Sequence, residues 1–173
     1  MNTSFDRIPD GKEEWLTPPE LVRALGTFDL DPCAPRLSAR PWQLAAQSYS
    51  LQDDGDGLAL PWRGRVFCNP PYGRKTGDWL QKCADHGNAI ALTFARTDSR
   101  WFHRQVFQRA HALLFVAGRL AFYHVTGKQG DSAGAPSVLI AYDQAGAACL
   151  SAVSTSREFT RAPIPGAFVQ LHP

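Results

Sequence analysis

Short apolar segments alternate with segments of helix length through much of the chain, and this alternation restricts the fold more than any other feature. Apolar residues at helical spacing predict a helix over 78–85, which Gly87 ends. Strands separated by such helices indicate an α/β fold, with a mostly parallel central sheet that is covered on both faces. The predicted strands are 28–31, 65–68, 89–94, 112–116 and 136–142.

The last apolar segments predict an antiparallel hairpin that closes the sheet. Residues 147–153 are expected to pair with the strand 136–142 across a short polar turn. Residues 1–14 are polar with few apolar anchors, so we expect a flexible lead-in. A single folded domain is then expected over 15–154, followed by a weakly ordered tail over 155–173.

Composition excludes several classes of protein. The chain has 173 residues, and its 18 basic against 16 acidic residues permit a nucleic-acid partner without indicating one. The four cysteines form no CxxC pair and the histidines lack metal-ligand spacing, so we expect reduced thiols and no metal. No apolar run approaches the roughly 20 residues that span a bilayer, and the N-terminus has no signal-peptide pattern. We therefore expect no membrane partner and a cytoplasmic location.

The tetrapeptide Asn69, Pro70, Pro71 and Tyr72 follows the predicted strand 65–68, at a strand end where open α/β sheets bind ligands. The exocyclic amine of adenine or cytosine is a poor nucleophile, because its lone pair is delocalised into the ring. The Asn69 side-chain oxygen and the Pro70 carbonyl can accept both amine hydrogens and direct the lone pair at an electrophilic methyl group. The two prolines fix φ and hold that carbonyl rigidly.

Tyr72 supplies a face on which a planar base can stack, a contact of about 1–3 kcal/mol. The base must first flip out of the duplex, as it does for methyltransferases in general. A Pro-Pro-Tyr tripeptide is alternatively a proline-rich recognition ligand or a tight turn. Its place directly after a buried strand favours a site.

With these residues the chain resembles the phage-type DNA adenine-N6 methyltransferases, within the wider amino-methyltransferase group that has a [DNS]-P-P-[YFW] signature. The resemblance implies a Rossmann-like class I methyltransferase fold, S-adenosylmethionine as cofactor, double-stranded DNA as partner, and a phage or prophage origin in a bacterial host cell. It covers about residues 14–142, in the segments 14–19, 28–34, 56–58 with Trp62, 69–73, 95–98, 101–103, 118–120 with Phe122, and 136–137.

The resemblance implies that Asp31, Pro32, Cys33 and Ala34 form the first cofactor loop, although the usual glycine-rich continuation is missing. An acidic residue after the first strand suits the ammonium group or the ribose hydroxyls of the cofactor. Asp29 competes with Asp31 for this role, and either can instead be a solvated loop acid. We favour Asp31.

Two further cofactor contacts are implied by the resemblance. Thr17 and Pro18 match the segment that contacts the methionine end, and Thr17 is also a plausible N-cap whose helix N-terminus suits a carboxylate. Asp56 best matches the residue that contacts adenosine, with Asp53 and Asp54 as alternatives.

Basic residues near the predicted strand ends are candidates for binding DNA phosphates. Arg96, which comes directly after a strand, is the strongest candidate, although any one of them can be a solvated surface charge. Because the chain is short for a separate recognition domain, we expect the loops 36–49 and 127–134 to recognise DNA. The candidates are Arg74, Lys75, Arg96 and Arg119, with Arg100 and Arg104 also on the expected rim.

Other functions remain open at this point. Similar Asn-Pro-Pro-Tyr sites modify RNA bases or a glutamine amide in proteins, although a glutamine-modifying enzyme is expected to have an additional helical substrate domain. A non-catalytic protein that binds DNA or the cofactor is a further alternative. The intact Asn69, Tyr72 and Asp31 argue against it.

Overall fold

The computed structural model describes residues 15–154 and 163–172. The expected flexible lead-in over 1–14 lies outside the described residues. In chain order the strands are β1 Trp15–Leu16, β2 Leu30–Asp31, β3 Gln47–Ser48, β4 Val66–Cys68, β5 Ala89–Phe94, β6 Ala112–Val116, β7 Ala121–His124, β8 Gln129–Ser132, β9 Ser137–Ala141 and β10 Gly166–Gln170. The helices are α1 Pro19–Leu25, α2 Thr76–His86, α3 Arg100–Phe102 and α4 Gln144–Ser154, with a 3₁₀ turn at Leu37–Ala39 and a π-helical turn at His103–Phe107.

The larger sheet of the described residues has seven strands in the order β10-β6-β9-β5-β4-β2-β3. The strands β3, β2, β4 and β5 pair in parallel. β9 lies antiparallel between β5 and β6, and β10 is antiparallel to β6. Five strands therefore run in one direction and end at one edge. The predicted α/β class is confirmed, although half of the pairings are antiparallel.

Side chains alternate between the two faces of this sheet along each strand. Helices cover both faces. Phe67, Ile90 and Leu92 pack with α1 and α4 on one face. Neighbouring Val66 and Cys68 pack with α2 and α3 on the other face. All five side chains are buried, so the central strands are mostly apolar on both faces.

The predicted closing hairpin is wrong in its second strand. Residues 147–153 lie within α4, where Ala147, Leu150 and Val153 are buried at helical spacing. The Asp143 carboxylate accepts a hydrogen bond from the Gly146 N–H over 2.7 Å and caps the first turn. An alanine-rich apolar segment fits a helix as well as a strand, and packing against β6 and β10 selects the helix.

Two polar or proline-containing regions form strands that sequence patterns did not indicate. The expected loop 127–134 contains β8, which pairs antiparallel with β7 across a register shift. Exposed edge strands need no apolar alternation, so this one resembled a loop. Near the C-terminus β10 pairs with β6 over Gly166–Gln170, so this part of the expected tail is an ordered strand.

Candidate active site

Four of the sequence-predicted site residues lie at the carboxyl ends of strands that run in one direction. Asp31 ends β2, and Asn69 follows β4 directly. Arg96 follows β5, and Arg119 follows β6. Neighbouring strands lie about 4.8 Å apart, so Asp31 and Arg96 flank Asn69. This edge is where open α/β sheets bind ligands.

Hydrogen bonds hold both ends of the Asn69 side-chain amide. Its Nδ2 donates to Thr17 Oγ1 over 2.9 Å. Its Oδ1 accepts from the Tyr72 hydroxyl over 3.0 Å. An amide oxygen has two lone pairs, so Oδ1 can accept a second hydrogen bond while Tyr72 donates. The amide is therefore oriented before any ligand arrives.

Thr17 reaches Asn69 because a smaller antiparallel sheet anchors the chain just before it. β1 pairs with Tyr123 and His124 of β7, and Thr17 follows β1 with only 3% of its surface exposed. The predicted role of Thr17 as the N-cap of α1 is wrong. That cap is Pro18, with no side-chain hydrogen bond to the helix. The hydroxyl is bonded to Asn69 instead.

Tyr72 is partly exposed beside Asn69. Its ring packs against Phe94, with the centroids 4.2 Å apart and the planes tilted by 46°. Burial raises the pKa of Tyr72, and the nearby Cys33 and Cys68 raise it further. The hydroxyl therefore stays protonated and remains a donor to Asn69.

The backbone of the tetrapeptide is fixed at both ends. The Cys33 thiol donates to the Asn69 carbonyl over 3.2 Å. After the prolines, of which Pro70 is buried and Pro71 exposed, the Gly73 N–H donates to Thr76 Oγ1 over 2.9 Å. Thr76 is the first residue of α2 and is itself buried. The tetrapeptide is thus held between β4 and α2.

Asp31 is a buried carboxyl, with 6% of its surface exposed. Burial raises its pKa from 3.8 to about 6, although the backbone N–H of Cys33 and the charge of Arg40 oppose the rise. The Cys33 N–H donates to Asp31 Oδ1 over 3.2 Å. Asp31 is thus an anion near neutral pH, with few protein partners to neutralise it.

A small pocket of about 30 Å³ joins the predicted cofactor residues to the predicted catalytic residue. Asp29, the alternative to Asp31, is used elsewhere: its carboxylate accepts from the Arg65 N–H over 2.6 Å. Among the pocket residues that the sequence did not single out as site residues are Arg40 and Trp42. The side chains in its lining that carry polar or sulfur atoms are Trp15, Thr17, Asp31, Cys33, Arg40, Trp42 and Asn69.

A family model described as DNA N-6-adenine-methyltransferase (Dam) matches residues 7–161, which is most of the chain. The chain belongs to the Dam family. This membership confirms the resemblance found in the sequence. The family is one of DNA adenine methyltransferases, which generally use S-adenosylmethionine. No curated protein and no solved structure matches the chain.

In this Dam family member the segment 31–34, the predicted first cofactor loop, packs against the turn that contains Asp56. A Cβ atom on Gly57 would lie 1.9 Å from the Pro32 carbonyl oxygen, so only glycine fits there. Lys82 Nζ donates to the carbonyls of Gly57, Leu58 and Leu60 over 3.2, 2.7 and 2.6 Å. The loop itself is tied to β3 by the Ala34 N–H, which donates to the Tyr49 carbonyl.

All three carboxylates of the acidic run have partners among the described residues, and Asp56 Oδ1 accepts from the Leu58 N–H over 2.9 Å. Asp53 pairs with Arg36 over 3.0 Å. Asp54 accepts from the Ser50 N–H over 2.9 Å. Asp56 lies beside Gly57, and its only ion pair in the described residues is an exposed one with Lys75 over 3.6 Å. It does not line the pocket, so its contact with adenosine stays a prediction.

The predicted DNA-binding residues differ in exposure. Arg74, Lys75 and Arg119 are exposed, whereas Arg96 is partly buried beside the strand end. Lys75 is engaged by Asp56. Exposure at the carboxyl edge suits contacts with phosphates, but the same exposure is typical of solvated charges.

No group of three or more His, Cys, Asp or Glu side chains is arranged to hold a metal ion in 15–154 and 163–172. Over the same residues, no helix has the length and apolar character to cross a membrane.

Proposed function

We propose that this protein transfers a methyl group from S-adenosylmethionine to the N6 amine of an adenine flipped out of double-stranded DNA. The observation that supports it best is the Asn69 amide, which Thr17 orients and which lines the same pocket as Asp31. This arrangement would bring an acceptor base on Asn69 next to a cofactor held by Asp31. Family membership supplies the substrate class.

The acceptor half of the proposed site consists of the tetrapeptide. Asn69 Oδ1 accepts one amine hydrogen and the Pro70 carbonyl accepts the other, so that the nitrogen lone pair points at the methyl group. Tyr72 holds the flipped base flat against its ring, and Phe94 supports that ring from behind. Preorganised acceptors of this kind lower the barrier because they need no rearrangement during the reaction.

The cofactor half fits the residues present. Asp31 supplies a buried negative charge, and the Nε–H of Arg40 and the Nε1–H of Trp42 in the same pocket lack hydrogen-bond partners among the described residues. When bound, the cofactor supplies a methyl group on a positively charged sulfur. We propose that it is held by Thr17, Pro18, Asp31, Pro32, Cys33, Ala34 and Asp56.

The sheet order supports a Rossmann-like class I methyltransferase fold. Parallel strands β3, β2, β4 and β5 form one half, and the antiparallel β9 is inserted before β6. The proposed cofactor loop follows β2 and the proposed acceptor tetrapeptide follows the adjacent β4. Binding at neighbouring carboxyl ends is the general arrangement of open α/β sheets.

Basic residues at the same edge are proposed to hold the DNA backbone. Arg96 lies next to the Asn69 strand, and Arg74 and Lys75 follow the tetrapeptide along the chain. Arg119 lies further along the edge. Their contacts with phosphates would position the duplex without specifying its sequence.

The test is the fate of a labelled methyl group offered with three acceptors: duplex DNA, RNA and protein. We expect label in the duplex alone, recovered as N6-methyladenine after digestion to nucleosides. Asn69→Ala should abolish transfer while the variant still binds S-adenosylhomocysteine. Absence of label from DNA, or label in RNA or protein only, would overturn the proposal in favour of the related substrates.

A further inference from the structure

Two buried N–H groups at the pocket have no hydrogen-bond partner within the described residues. They are Arg40 Nε and Trp42 Nε1, and both side chains line the pocket together with Asp31. A buried polar group without a partner costs about 1–3 kcal/mol, and such groups are exceptional enough to need an explanation. Both groups can only donate. A ligand that satisfies them must therefore present acceptor atoms.

The rest of the Arg40 guanidinium is held in place by the sheet. Its Nη2 donates to Ser48 Oγ, and Ser48 is the register partner of Asp31 across β2 and β3. The guanidinium is close enough for its charge to lower the pKa of Asp31. No hydrogen bond or ion pair joins Arg40 to Asp31 in the described part of the chain. One positive and one negative side chain thus line the same pocket.

A ligand that has a positively charged group close to a negatively charged group suits such a pocket. An α-amino acid group has this chemistry, because its ammonium group donates and its carboxylate accepts. The carboxylate has two oxygens, which match the two unpaired donors. Sequence patterns placed the carboxylate of the cofactor at the N-terminus of α1. The N-cap of that helix is Pro18, which makes no side-chain hydrogen bond to it.

We propose that Arg40 and Trp42 bind the carboxylate of the cofactor's amino-acid end, while Asp31 binds its ammonium group. The inference deepens the proposed function and depends on it, because it assigns residues toward that cofactor. It also changes the expected role of loop 36–49. The part around Arg40 and Trp42 recognises the cofactor, and only the remainder is available to DNA.

The Trp42 side chain is held at the pocket by a neighbouring aromatic ring. Trp42 packs edge-on against Tyr123 of β7, with the ring centroids 5.3 Å apart, so the smaller sheet is its support.

The test compares two ligands by titration calorimetry. S-adenosylhomocysteine has the amino-acid end, and 5′-methylthioadenosine has the same adenosine and sulfur without it. We expect Arg40→Gln to weaken binding of S-adenosylhomocysteine by roughly 10- to 100-fold, the range for a hydrogen bond to a charged group. Binding of 5′-methylthioadenosine should change less than about twofold.

Two variants complete the design. Trp42→Phe keeps an aromatic ring but removes the N–H together with the five-membered part of the indole, so we expect it to weaken binding of S-adenosylhomocysteine by about three- to tenfold and to spare 5′-methylthioadenosine. Arg36→Gln is the matched control, since Arg36 lies in the same segment and its charge is exposed beside Asp53. It should leave both affinities unchanged.

The outcomes separate this inference from the proposed function. If Arg40→Gln and Trp42→Phe bind both ligands as the native protein does, or lose both equally, the inference is overturned while the proposed function stands. If the native protein binds neither ligand, the proposed function itself is contradicted. Circular dichroism of each variant identifies loss of folding, and Trp42→Phe decides the question if Arg40→Gln does not fold.

Discussion

Thr17 and Asn69 are joined side chain to side chain, with Asn69 Nδ2 donating to Thr17 Oγ1 over 2.9 Å. The two residues come from different sheets, since Thr17 follows β1 of the smaller sheet and Asn69 follows β4 of the larger one. The hydrogen bond sets the orientation of the amide. It leaves Asn69 Oδ1 on the side of Tyr72. Thr17 is therefore a positioning residue for the proposed acceptor as well as part of the pocket.

Removing the Thr17 hydroxyl should slow the methyl transfer step. We expect Thr17→Val to lower kcat by about 10- to 100-fold, because the amide loses the acceptor that orients it. Thr17→Ser should restore most of the rate. Steady-state kinetics on duplex DNA measure both, and equal kcat values for Thr17→Val and the native protein would show that the hydrogen bond has no role in positioning.

The ring and the hydroxyl of Tyr72 should contribute separately. Tyr72→Phe keeps the ring on Phe94 and should lower kcat/KM by less than about tenfold. Tyr72→Ala removes the stacking surface and should lower it by roughly 5- to 150-fold, from a stacking energy of about 1–3 kcal/mol. If Tyr72→Phe is as impaired as Tyr72→Ala, the hydroxyl rather than the ring is the essential group.

Cofactor affinity should depend on the ionisation of Asp31. Its pKa is raised to about 6 by burial, so below that pH the carboxyl is protonated and cannot hold an ammonium group. The Cys33 thiol, whose pKa burial also raises, stays neutral. We expect Kd for S-adenosylhomocysteine to rise as pH falls from 7 to 5. Asp31→Asn should abolish this dependence, and Asp29→Asn, outside the pocket, should retain it.

The same carboxyl should destabilise the folded protein at higher pH. Because its folded pKa of about 6 lies above its ordinary value of 3.8, the cost is absent below pH 3.8 and grows as pH rises through 6. The full cost is on the order of 3 kcal/mol. In the absence of cofactor, Asp31→Asn should therefore be more stable than the native protein at pH 8. Urea unfolding at pH 4 and pH 8 measures the difference in free energy of unfolding between the two proteins. A difference that does not grow with pH would contradict the buried ionised state.

The contact between Gly57 and Pro32 should link stability to cofactor binding. A Cβ atom at position 57 would overlap the Pro32 carbonyl oxygen at 1.9 Å, so Gly57→Ala forces the proposed cofactor loop to shift. We expect a loss of about 1–3 kcal/mol in the free energy of unfolding and weaker binding of S-adenosylhomocysteine. An unchanged melting temperature together with an unchanged affinity would show that the loop can shift without any loss in the free energy of unfolding.

Sequence patterns predicted the central strands well, because β5 and β6 are largely apolar runs with polar or glycine residues within two positions of each end. They failed for α4, whose small apolar residues fit either structure until packing decides. They failed for β8 as well, because an exposed edge strand obtains its stability from pairing with β7 rather than from apolar side chains.

The candidate site was predictable for residues whose position follows from the strand next to them in sequence. It was not predictable for residues that are placed by contacts with distant parts of the chain. Asn69 and Asp31 stand directly after or at the end of predicted strands, so strand-end reasoning reached both. Arg40 and Trp42 enter the pocket only because the segment between β2 and β3 folds back over Asp31. Thr17 was selected as a cap, but its partner is Asn69, far along the chain. No spacing pattern encodes such a pairing.

The central claim is that Asn69 holds an adenine amine for methylation, and one paired measurement tests it most directly. Native protein and Asn69→Ala are incubated with labelled S-adenosylmethionine and duplex DNA, and N6-methyladenine is quantified while the affinity for S-adenosylhomocysteine is measured in parallel. We expect the native protein to form N6-methyladenine and Asn69→Ala to form none at nearly unchanged affinity. Equal methylation by both proteins, or no N6-methyladenine from either despite cofactor binding, would contradict the account.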